Sequence, residues 1–78
     1  MVAPEQAVLH LLAKRGPGKT ICPSEAARLL AGNGADWRAH MDDVHKAAQQ
    51  LNDAGKVRLS WKGQSRLTGQ GPYRIAQA

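Results

Sequence analysis

Apolar residues recur at intervals of three and four through most of this chain, then switch to strict alternation near position 56. The first periodic segment carries Ala7, Val8, Leu11 and Leu12 on one side, which predicts a helix over residues 4–14. Pro4 is pre-set for a first helical turn, Lys14 and Arg15 suit a helix C-terminus, and Gly16-Pro17-Gly18 stops the segment. Thr20-Ile21-Cys22 precedes Pro23 and is therefore biased toward an extended strand over 20–22. Pro23 opens a second helix over 23–31, with Glu25 standing three residues after Cys22 where a capping-box acid belongs. Ala26, Leu29 and Leu30 are its expected buried side, and Gly32-Asn33-Gly34 ends it. Asp36 is a good N-cap for a third helix over 36–54. Its stripe of Trp37, Met41, Val44, Ala48 and Leu51 is the clearest in the chain, and Gly55 closes it.

From Lys56 the period becomes two. Val57, Leu59 and Trp61 alternate with Lys56, Arg58, Ser60 and Lys62, which predicts a half-buried strand over 56–61; Trp61 either packs in the core, the place its alternation with Val57 and Leu59 favours, or projects at the wing base to stack on a base. Four of residues 62–72 are glycine or proline, so this stretch reads as a loop, and a second strand follows over 73–76. Helix, short strand, helix, helix, strand, loop, strand is the order of a winged helix. The expectation is therefore one α+β domain spanning 1–78, with a helix-turn-helix turned at residues 31–35 and a C-terminal β-hairpin as the wing.

Three stretches also resemble a known family. Arg15-Gly16-Pro17-Gly18-Lys19-Thr20-Ile21-Cys22-Pro23-Ser24-Glu25-Ala26-Ala27-Arg28, the start of the third helix at Asp36-Trp37-Arg38, and Gly71-Pro72-Tyr73-Arg74-Ile75 are similar to a family of short bacterial domains of unknown function. Members of that family are predicted winged helices. The resemblance implies the same fold and a bacterial, cytoplasmic origin. It implies no activity and transfers no functional residue.

Composition narrows the picture. Seventy-eight residues with 42% hydrophobic content suit one small domain, which buries roughly 60% of its unfolded surface. A single cysteine, Cys22, forms no internal disulfide and fits a reducing compartment; no apolar run reaches the ~20 residues of a membrane span. The expected setting is cytoplasmic, with a monomer as the default state. The net charge of +5 is unevenly placed. Residues 1–55 balance six cations with six carboxylates, whereas Lys56, Arg58, Lys62, Arg66 and Arg74 follow with no acidic side chain among them. A basic segment on a neutral body points to a polyanion.

Candidate catalytic motifs are weak. Ala13 to Thr20 satisfies the loose phosphate-loop pattern A-x-x-x-x-G-K-T, but it begins inside a helix, and Pro17 removes an N–H donor. Cys22 at a helix start invites a nucleophile, yet His10, His40 and His45 have no spacing tied to it. His40 and His45 are five apart, on different sides of a helix, so the histidines read as surface groups and neither a metal nor a cofactor is expected. No enzyme is expected.

Two binding roles stay open. In the first, a winged helix binds duplex DNA or another polyanion: Lys56, Arg58, Lys62, Arg66 and Arg74 hold phosphates along the wing, with Arg58 and Arg74 as cross-strand neighbours. Arg38, Lys46 and Gln49 then lie along a groove from the third helix. In the second, the same scaffold docks an acidic protein, a reading favoured by Asp42 and Asp43 on the helix that would read the groove.

Overall fold

The first two helices both begin on proline, and both borrow a cap from their third residue. A computed structural model describes residues 3–32, 36–65 and 71–78. In it α1 spans Pro4–Arg15 and α2 spans Pro23–Ala31, separated by the two-residue strand β1 (Thr20–Ile21). Ala3 and Cys22 precede them and offer no capping side chain. Instead, Gln6 Oε1 accepts the Ala3 amide at 3.0 Å, and Glu25 Oε2 accepts the Cys22 amide at 2.6 Å. These bonds supply the returning half of a capping box and satisfy backbone donors that a helix start leaves open.

The expected helix over 36–54 is divided. Trp37–His40 forms a 3₁₀ turn, and α3 runs over Met41–Asp53. The tighter turn sets Trp37 against α2, with the Arg28 guanidinium 4.9 Å from its ring centre. The far end of α3 closes as expected. Gly55 adopts φ 75°, its amide donates to Asn52 O at 3.0 Å, and the Lys56 amide donates to Leu51 O at 2.9 Å. That pair of bonds is a Schellman motif, which needs a left-handed residue at Gly55.

Burial follows the predicted stripes with one shift. Ala7, Val8 and Leu12 of α1 and Val44, Ala48 and Leu51 of α3 are buried, joined by Ala47. On α2 the buried set is Pro23, Ala26 and Ala27, with Leu30 half-buried, while Leu29 is 38% exposed. Positions 23, 26, 27 and 30 form a regular apolar stripe, so packing selected that phase over the one centred on Leu29.

After α3 come β2 (Val57–Trp61), β3 (Gln64–Ser65) and β4 (Arg74–Gln77). The sheet is antiparallel in the order β1-β4-β2-β3. β3 lies inside the segment expected to be loop: Trp61 pairs with Gln64 across Lys62 and Gly63. Both turn residues have positive φ, 52° and 82°, the sign pattern of a type I′ hairpin. β4 is central, and Ile75 on it is fully buried between Ile21 and Leu59. Ile21, Val57, Leu59, Tyr73 and Ile75 pack with the helices into one core. Three helices with a small antiparallel sheet thus make an α+β fold in a winged-helix-like arrangement. No helix among the described residues is long and apolar enough to cross a membrane. The turn at 33–35 and Arg66, both expected to matter, lie outside the described residues.

Candidate nucleic-acid interface

Strand register decides which cations share a face. Arg58 stands opposite Ala76, and Ser60 stands opposite Arg74, so Arg58 and Arg74 lie on the same outward face but two positions apart. The expected direct Arg58–Arg74 pairing is therefore displaced. Arg74 leans the other way, toward β1: its Nε donates to Thr20 Oγ1 at 2.7 Å and its Nη2 to Thr20 O at 3.3 Å. Arg15 Nη1 donates to the same carbonyl at 2.9 Å, and Arg15 pairs with Glu25 at 2.5 Å. Arg74 thus belongs to a polar cluster that ties β4, β1, α1 and α2 together. Burial in that cluster pushes the Glu25 carboxyl up, but the Arg15 hydrogen bond, the Cys22 amide and the charges of Arg15 and Arg74 outweigh it. The group is held below its ordinary range.

The remaining wing cations are differently placed. Lys56, Arg58 and Lys62 are exposed, and the single ion pair among the described residues is that of Arg15 with Glu25. Lys62 sits at the tip of the β2–β3 hairpin. On the helical side, Arg38 stacks over Trp37 at 4.5 Å, sharing that ring with Arg28. Lys46 is exposed, and Gln49 Nε2 donates to Asp53 Oδ1 at 2.9 Å. His45, Lys46, Gln49 and Gln50 line a shallow hollow of about 350 Å³ along α3. Asp42 and Asp43 occupy the first turn of α3, where carboxylates suit the positive end of the helix dipole.

A second concavity has no trace in the sequence. Trp61, the last residue of β2, is half-buried rather than part of the core. There it lines a groove of about 580 Å³ with Met41 and His45 of α3, Cys22 and Pro23 at the start of α2, and Gly71 to Arg74 leading into β4. His45 is not a free surface group. Its Nδ1 lies 2.6 Å from Tyr73 Oη, and the two rings are tilted by 56° with centres 5.6 Å apart. The imidazole tautomer sets which atom donates. Burial, and to a lesser degree the neighbouring Cys22, push the Tyr73 phenol up to about 12, so it keeps its proton at neutral pH. The signal for this pair is tertiary alone, since its members are 28 residues apart.

The motifs weighed for chemistry also find places. Gly16-Pro17-Gly18 leads from a helix into a strand, the reverse of the order a phosphate loop requires. The Cys22 thiol is half-buried and accepts from Ser24 Oγ at 3.2 Å. Cys22 and His45 share the groove, a juxtaposition their spacing does not reveal. Among the described residues no three His, Cys, Asp or Glu side chains are grouped to hold a metal. A family model described as "Protein of unknown function (DUF3253)" matches residues 3–78. No curated protein matches the chain.

Proposed function

The chain belongs to the DUF3253 family, whose description assigns no activity, and from that premise we propose that it is a non-catalytic nucleic-acid-binding module. The observation that carries this reading is the outward surface of the wing. Lys56, Arg58 and Lys62 are exposed there with no carboxylate paired to them among the described residues. Cations held close together repel one another, and a row of phosphates removes that cost while releasing counterions. Lys46 on α3 adds a fourth cation, and Gln50 beside it offers an amide for base edges or phosphates, while the Gln49 amide is already engaged by Asp53. Arg74 and Arg38 contribute indirectly, because Thr20 and Trp37 already engage them; they position β1 and the start of α3.

Four phosphate contacts give a salt slope of about −3 to −4 in log affinity against log salt. Fluorescence anisotropy of a labelled DNA duplex, titrated with protein between low and moderate salt, measures it. Binding at low salt with that slope supports the reading. Absence of binding to this duplex and to a single strand of equal length at low salt, or a flat salt dependence, overturns it.

The second reading, docking of an acidic protein without nucleic acid, draws support from exposed Asp42 and Asp43 on α3. Their carboxylates oppose phosphates at the start of that helix. A defined protein partner that survives nuclease treatment, together with a flat DNA titration, would establish it.

A further inference from the structure

We propose that the groove beside Trp61 receives an unpaired nucleobase, so that the preferred ligand is a single-stranded nucleic-acid segment rather than uninterrupted duplex. This inference rests on the nucleic-acid reading above and names its substrate class. Three observations carry it.

The first is Trp61 itself. By strand parity it points to the same side as buried Val57 and Leu59, yet it remains half-buried at the open end of that row. Beneath and beside it lie Met41, Pro23, Pro72 and the Tyr73 ring, all apolar surfaces, in a cleft of about 580 Å³. That size falls in the ~300–1,000 Å³ range of small-ligand sites. A flat aromatic wall with apolar neighbours suits the face of a base, and such stacking is tolerant of sequence.

The second is charge. The groove is lined by His45 and by Arg74, whose guanidinium is already held by Thr20, and no carboxylate lies among its described lining residues. His45 also lines the neighbouring hollow with Lys46, Gln49 and Gln50, so the two concavities adjoin at that residue. Exposed Arg58 and Lys62 belong to the same strand and hairpin as Trp61. Phosphates flanking a base in the groove have Lys46 on the α3 side and Lys62 at the hairpin tip, while Arg58 faces the other side of the sheet and takes no part.

The third is hydrogen bonding. His45 commits Nδ1 to Tyr73, which fixes the ring and leaves Nε2 as its other polar atom. A base edge entering the groove finds a positioned imidazole in place of a mobile one. In an intact duplex, the bases are stacked on one another and none is free to lie on an indole.

The experiment uses the full chain with Trp37→Phe, which leaves Trp61 as the only indole of the two in the sequence. A thymidine oligonucleotide and a duplex of equal length are titrated separately while Trp61 emission is recorded. Strong quenching by the single strand and little by the duplex is the expected result. Trp61→Leu, in the otherwise native chain, should weaken single-strand binding about tenfold and leave duplex binding unchanged. Circular dichroism checks the fold of that variant, and the emission measurement decides independently because it leaves the groove unaltered. Duplex binding with the expected salt slope but no single-strand quenching overturns this inference alone. No binding of either nucleic acid at low salt overturns both it and the reading beneath it. Quenching by a polyglutamate-containing apolar peptide, but by neither nucleic acid, assigns the groove to a protein partner and likewise overturns it.

Discussion

Tyr73 is the only tyrosine in the chain, so its ionisation can be followed directly at 295 nm. It is 4% exposed, and burial raises its phenol from the ordinary 10.0 to about 12. The neutral phenol is the form the folded state favours, so its contribution is fully present below pH 10 and disappears as the pH climbs to about 12. Each tenfold change in proton affinity is worth ~1.4 kcal/mol, so about 2 kcal/mol of stability is lost over that interval. A domain of 78 residues has roughly 4–12 kcal/mol in total, so the fold persists through much of the rise. Two measurements test this. Tyrosinate absorbance should appear near pH 12 in the native protein and near pH 10 in concentrated urea. Urea midpoints should fall between pH 10 and 12 in the native chain and much less in Tyr73→Phe. That variant should also lose about 1 kcal/mol at neutral pH, because the 2.6 Å bond to His45 is gone. A native-state titration near pH 10, coinciding with the urea curve, would refute the claim that the phenol is sequestered.

Acid should act through Glu25, whose carboxyl is held below its ordinary value of 4.5. Its contribution is present above that value and lost as the pH falls through the folded one, so Glu25→Gln should flatten the acid limb of a circular dichroism titration. Gly55→Ala places a side chain at φ 75° and should lower stability by about 1 kcal/mol in urea melts. Ile75, fully buried on the central strand, should cost about 2–5 kcal/mol as Ile75→Ala and ~1 kcal/mol as Ile75→Val. Equal melting temperatures for those two variants would contradict the placement of β4 at the centre of the sheet.

What is legible in the sequence is mostly local. Pro4, Pro23 and Gly55 mark helix ends through their own backbone preferences, and those ends lie within one residue of expectation. The phase of α2 departs from expectation at Leu29 because a nine-residue helix with five apolar candidates has two usable stripes, and only the neighbouring helices choose between them. β3 is hidden because Lys62-Gly63 lacks the asparagine or aspartate that advertises a type I′ turn. Alternation names the side of the sheet on which Trp61 lies, but not where the helices beneath it stop. The site depends still more on tertiary structure. Segregated charge is visible as a row of cations, yet register alone separates Arg74, bonded to Thr20 across 54 residues, from exposed Arg58 and Lys62. The groove joins residues from Cys22 to Arg74 and has no counterpart in any single motif.

The central claim, that a polyanion docks on the exposed wing cations and the adjoining side of α3, is tested most directly by amide NMR during a low-salt titration with DNA. The account predicts chemical-shift changes concentrated at Lys46, Gln49 and residues 56–62, fading as salt is raised. Shifts confined to α1 and the exposed side of α2 around Leu29, or no shifts at all, would contradict it.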